Sequence, residues 1–184
     1  MLKRLALLPL IALTLVAAAP PAQFLREQKA VTLGGKAEVW QLVWEGRPRP
    51  ICAAQDVEMA ITCPCTGFAY GEMGKLALVR KAGGREIERM ALGPLFAELP
   101  ESGSDGLAAM QWRPMAASDF DNGQGAPKGF LAAVARRPGP RVMRMADYDH
   151  DGQASEFLVQ VSAGPCGHTA YVAVGVSKAN PRLH

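Results

Sequence analysis

The sequence predicts a mainly-β domain, α+β at most: an antiparallel sheet or sandwich with one short helix, closed by a C-terminal three-strand meander. Three observations carry this expectation. Apolar residues recur mostly at a two-residue period, turn-forming clusters of Gly, Pro, Asp and Ser separate the runs, and only one segment has helical spacing. The chain has 184 residues, 49% of them hydrophobic and 20% charged. That composition is that of a globular domain and disfavours disordered, collagen-like and polytopic membrane chains.

Met1 to Ala18 has the three parts of a secretory signal: basic Lys3-Arg4, an apolar run from Leu5 to Val16, then Ala17-Ala18-Ala19. Cleavage after Ala18 keeps Pro20 away from the junction and leaves residues 19–184 as a single domain. The apolar run is about 12 residues, whereas a membrane span needs roughly 20. The mature chain is therefore expected to be periplasmic or secreted, with no membrane partner once the signal is gone. Lys3 and Arg4 belong to the signal, so the mature chain carries 18 basic and 17 acidic side chains. A net charge of +1 offers nothing for a nucleic acid to grip.

Along the mature chain, Val39 to Trp44 is the first strand, ended by Glu45-Gly46 and the Arg47-Pro48-Arg49-Pro50 breaker. Trp40 and Trp44 stand an even number apart and share a face; core packing explains them more simply than a sugar platform formed with Trp112. Lys75–Arg80 and Arg85–Met90 flank Lys81-Ala82-Gly83-Gly84, where the two glycines supply the positive φ of a tight hairpin turn. Pro94 to Leu99 makes a short helical turn, Glu101 to Gly106 is a loop, and Leu107 to Trp112 reads as strand. Gly129 to Arg137 has Phe130, Leu131 and Val134 at helical spacing behind Pro127, and Pro138-Gly139-Pro140 stops it. Arg141–Ala146, Glu156–Val161 and Thr169–Ser177 supply the meander.

The most specific motif is the run from Asp147 to Glu156. Calcium takes roughly six to eight oxygen ligands, and carboxylates on alternate residues of a curled loop converge on one hard cation. Asp147, Asp149 and Asp151 occupy places one, three and five, Gly152 the turn at place six, and Gln153 offers its carbonyl at place seven. Leu158 stands where an EF-hand needs its bidentate Glu, and the flanks are strand-like rather than helical, both of which disfavour an EF-hand. His150 lies between ligand positions and faces solvent. A bound ion would be structural, because four carboxylates within ten residues repel one another.

A strand-flanked DxDxDG loop resembles the calcium loops of FG-GAP and VCBS repeats, the family seen in integrin-type β-propellers. The resemblance spans Val142 to Val176 and implies Ca2+ as a structural cofactor. Those families carry a further carboxylate at place nine; here Ser155 stands there and Glu156 follows, which makes Glu156 the expected extra ligand in an altered loop. Ser118 to Gly123 is a degenerate echo, too little for a propeller. The stretch Ala146 to His168 also looks like exported bacterial proteins of similar length, which implies no activity.

Cys52, Cys63, Cys65 and Cys166 are even in number, as two disulfides in an exported chain require. Cys63 and Cys65 are too close, with Pro64 between them, to bond without strain, so each takes a different partner. A bridge to Cys166 closes a loop of about 100 residues and contributes roughly 4 kcal/mol by chain entropy. A soft-metal site for zinc or Cu(I), with His168 and the methionines Met143 and Met145, and thiol redox chemistry are the alternatives. Redox chemistry lacks its usual C-x-x-C.

No GxSxG, HExxH, Walker A or CxxCH motif appears. The leading expectation is an exported, non-enzymatic binding or structural module, whose partner would be an envelope or extracellular polymer or protein. A hydrolase working on such a polymer through carboxylates such as Asp119 and Asp121 is the second, and a thiol- or copper-handling protein the third.

Overall fold

A computed structural model describes residues 21–51, 71–96, 106–111, 113, 130–163 and 169–184. It is mainly antiparallel β, as the apolar period predicts. Strand β1 (Gln23–Leu33) pairs with β2 (Lys36–Glu45) through a two-residue turn at Gly34-Gly35, with φ of 53° and 78°. Short β3 (Arg49–Pro50) and β4 (Gly71–Gly74) follow, then the hairpin of β5 (Leu76–Ala82) and β6 (Arg85–Ala91). Its turn is Gly83-Gly84, with φ of 55° and 79°. Positive φ at both central residues is what the right-handed twist of the flanking strands demands, and only glycine adopts it freely. A 3-10 turn (Gly93–Phe96), β7 (Ala108–Gln111), one helix α1 (Phe130–Ala135) and the pair β8 (Glu156–Ala163) and β9 (Thr169–Gly175) complete the described chain.

The strands form sheets in the orders β1-β2-β5-β6, β3-β4-β7 and β8-β9. In the register of the first, Trp40 of β2 stands opposite Arg80 of β5, and Arg80 opposite Glu88 of β6. The inward face of β2 therefore presents Glu38, Trp40, Leu42 and Trp44, and that of β5 presents Leu76, Leu78 and Arg80. Trp40, Leu42, Trp44 and Leu78 meet Leu92, Phe96, Met143, Phe157, Val159 and Val174 in one core. Val43, Ala77 and Val79 form a smaller cluster on the other face of the same strands. Both tryptophans are buried, so packing is their role, and the buried Met143 is a core filler.

Two polar side chains on the inward face satisfy each other. The Arg80 guanidinium donates to both Glu38 oxygens, at 2.8 and 2.9 Å, and to Glu88 at 2.5 Å and the Pro181 carbonyl at 2.9 Å. Trp40 Nε1 donates to Glu38 at 2.9 Å, and the guanidinium lies 5.6 Å from the centre of the Trp40 ring. Burial alone pushes the Glu38 carboxyl up, but the Arg80 and Trp40 hydrogen bonds and the Arg80 charge outweigh it and hold the group below its ordinary value.

The C-terminal meander is corrected in one member. Arg141–Ala146 is not a strand: it makes a single bridge, Ala146 to Glu156. The backbone N–H groups of Val142 and Met143 donate instead to the Glu27 carboxylate, at 2.7 and 3.1 Å. A segment whose donors are taken by a side chain from another strand has no need of a ladder partner. Strand β1 carries no clear apolar period, because it is a largely exposed edge strand. Among the described residues no helix is long and apolar enough to cross a membrane.

Candidate metal centre

The acidic loop is closed at its base by backbone bonds between Ala146 and Glu156: Ala146 N–H donates at 2.8 Å and Glu156 N–H at 3.1 Å. Within this collar the chain reverses through His150 and Gly152, both left-handed with φ of 61° and 85°. His150 is exposed, and its backbone supplies the curl. Because of that curl, carboxylate oxygens of Asp147, Asp149 and Asp151 lie within 4.8 Å of one another. This is the spacing at which three carboxylates can share one hard cation.

Backbone donors hold the carboxylates in place. Asp147 accepts from Asp151 N–H at 3.0 Å and Gly152 N–H at 2.9 Å, one on each oxygen. Asp149 accepts from Asp151 N–H at 3.2 Å, and Asp151 from Gln153 N–H at 2.7 Å. Each carboxylate oxygen has two lone pairs, so these bonds orient the groups and leave capacity for an ion. The loop is also tied to the segment after β9. Lys178 N–H donates to the Asp151 carboxylate at 2.5 Å, and the Lys178 ammonium donates to the Asp151 carbonyl.

The structure brings the three aspartates together and places Gln153 and Glu156 differently. The Gln153 carbonyl accepts from Ser155 N–H at 2.9 Å and closes a tight turn. Glu156 is buried, and its carboxylate accepts from Tyr148 N–H and the Ser155 hydroxyl, each at 2.9 Å. It braces the collar and stands apart from the triad. The single Ser155 hydroxyl proton is shared between the Glu156 carboxylate and the Val176 carbonyl, 2.6 Å away, which explains a buried Ser at the place where a carboxylate is usual. Gly175 is needed behind it, since a Cβ there would fall on the Ser155 carbonyl and 2.7 Å from Glu156 Cα.

Cys52, Cys63, Cys65, Cys166 and His168, and the echo from Ser118 to Gly123, lie outside the described residues. A second constellation has no local motif at all. Arg26 of β1 and Glu72 of β4 form an ion pair at 3.3 Å, and Trp44 Nε1 donates to Glu72 at 3.1 Å. These residues come from three strands, so only their rarity as inward-facing charges could have drawn attention to them. Comparison with family models, curated proteins and solved structures returns no match.

Proposed function

We propose that the chain is an exported, non-enzymatic binding or structural module, whose loop from Asp147 to Glu156 holds a structural calcium ion and whose four cysteines form two disulfides. One observation supports the ion: three aspartate carboxylates within 4.8 Å of one another, on a loop clamped to β8 at its base and to the segment after β9 at its tip. Calcium suits an all-oxygen, carboxylate-rich donor set better than a soft metal does. Its ligands would be Asp147, Asp149 and Asp151, with water completing the set. The ion offsets carboxylate repulsion within the loop that leads into β8.

Thermal melts of the purified mature protein in millimolar calcium and in EDTA test this. At a calcium concentration one hundred times Kd, the folded state gains about 2.7 kcal/mol, a rise in Tm of several degrees. Asp149→Asn abolishes the difference. Identical melts with and without calcium in the unaltered protein would sink the ion site. Mass spectrometry under non-reducing conditions reads the cysteines separately, with no free thiol as the expected result.

A further inference from the structure

On the side of the molecule formed by β1, the end of β2, β3 and β4 lies a cleft of about 590 Å3. Its walls are apolar: Phe24 and Leu25 of edge strand β1, the Trp44 ring, and Pro48 and Pro50. Phe24 is 38% exposed and Leu25 55% exposed, so both leave a large apolar area open to solvent. Into these walls the fold sets three guanidinium groups and one carboxylate: Arg26, Arg47, Arg113 and Glu72.

The charges have different states of commitment. Arg26 is pinned: it pairs with Glu72 and donates to the carbonyls of Gln111, at 3.1 Å, and Pro140, at 3.2 Å. Its Nε is buried and makes no hydrogen bond. Glu72 is thereby neutralised by a neighbour as buried as itself. Burial pushes its carboxyl up, against the opposing Trp44 hydrogen bond and the charges of Arg26 and Arg113. Arg47 gives the cleft its positive charge: it is exposed and has no carboxylate partner among the described residues, and its guanidinium lies 5.9 Å from the centre of the Phe24 ring. Stacking pre-orders that guanidinium beside the apolar wall, so less freedom is lost when an anion binds it.

We propose that this cleft binds a small organic acid, with an acyl or aryl body against Phe24, Leu25 and Pro48 and its carboxylate on Arg47. A neutral ligand would leave Arg47 without a counter-charge, and a cation would be repelled by it. The site lies apart from the acidic loop. It gives the binding role a ligand class and so rests on the binding-module reading.

Calorimetric titration of the full mature chain with decanoate, octyl glucoside and decyltrimethylammonium, each below its micellar limit, tests the proposal. Decanoate is expected to saturate one site per chain, and the other two to bind at least tenfold more weakly. Arg47→Glu weakens decanoate at least tenfold with an unchanged melt, and Phe24→Leu, which keeps an apolar side chain in the strand, weakens it as well. Equal binding of the three amphiphiles, or decanoate binding indifferent to Arg47→Glu, would overturn the proposal. The calcium-dependent melt of the same Arg47→Glu protein reads the ion site independently. Loss of the calcium effect alone would leave the cleft standing, and loss of decanoate binding alone would leave the ion site standing.

Discussion

Removal of Arg80 is the sharpest test of how the larger sheet is held. Its side chain is 9% exposed and that of its partner Glu38 7% exposed, so Arg80→Met leaves a carboxylate in the core with the Trp40 indole as its one remaining donor. Breaking a buried pair from one side costs about 3 to 5 kcal/mol, because the surviving charge is uncompensated. The bond to the Pro181 carbonyl, lost in the same step, adds about 1 kcal/mol. A total of about 5 kcal/mol is a large part of the stability of a domain of this size. Glu38→Gln in the Arg80→Met background removes the stranded charge while keeping an oxygen for Trp40 Nε1. It should restore about 2 kcal/mol. Urea unfolding at neutral pH, followed by tryptophan fluorescence, gives both numbers from the midpoint and slope. A loss below about 1 kcal/mol for Arg80→Met, or a double variant no more stable than the single one, would refute the reasoning.

Three further outcomes follow. Gly175→Ala should cost about 3 kcal/mol or more, because its Cβ has nowhere to go; Gly35→Ala, with open space around it but φ of 78°, should cost only about 1 kcal/mol in chemical denaturation. The Glu38 contribution to stability is complete above its ordinary value of 4.5 and is lost as pH falls through the depressed folded value, whereas the raised Glu72 contributes below 4.5 and loses that contribution as pH rises through its folded value. Acid melts of the unaltered protein should therefore show a loss below 4.5 that is smaller in the Arg80→Met variant. Lys178→Met removes a cation from the mouth of the acidic loop and should tighten calcium binding by roughly threefold in calorimetry; weaker binding would mean that the lysine's tether to Asp151 matters more than its charge.

What the sequence makes legible is whatever is written locally. Gly83-Gly84 announces its hairpin, and the even spacing of Trp40 and Trp44 announces a buried face. The alternation of Asp147, Asp149 and Asp151 announces convergence of carboxylates, and the short run behind Pro127 announces helix α1. The misses are non-local. Strand β1 is hidden because an exposed edge strand needs little apolar period. Arg141–Ala146 has strand composition, yet Glu27, 115 residues away from Val142, takes its donors. Glu156 follows the acidic run in sequence, but its parity in β8 turns it inward to Tyr148 and Ser155. The partnerships of Arg80 and Glu72 depend on strand register, which no single segment encodes.

The bond from Arg80 to the Pro181 carbonyl spans 101 positions, and it bears on the order in which the chain assembles. The hairpins β1–β2 and β5–β6 close through two-residue turns and can form within microseconds, on the order of 1–10 μs. Their joining along β2 and β5 carries Glu38 and Arg80 toward the interior. The Arg80 guanidinium gains its last acceptor only when residues near the far end arrive. An N-terminal half emerging first from a ribosome or a translocation channel would thus hold a sheet whose Arg80 charge is met by Glu38 and Glu88 but whose guanidinium still lacks one acceptor. Its final consolidation waits for the segment that includes Lys178 and Pro181, the same segment that ties down the acidic loop.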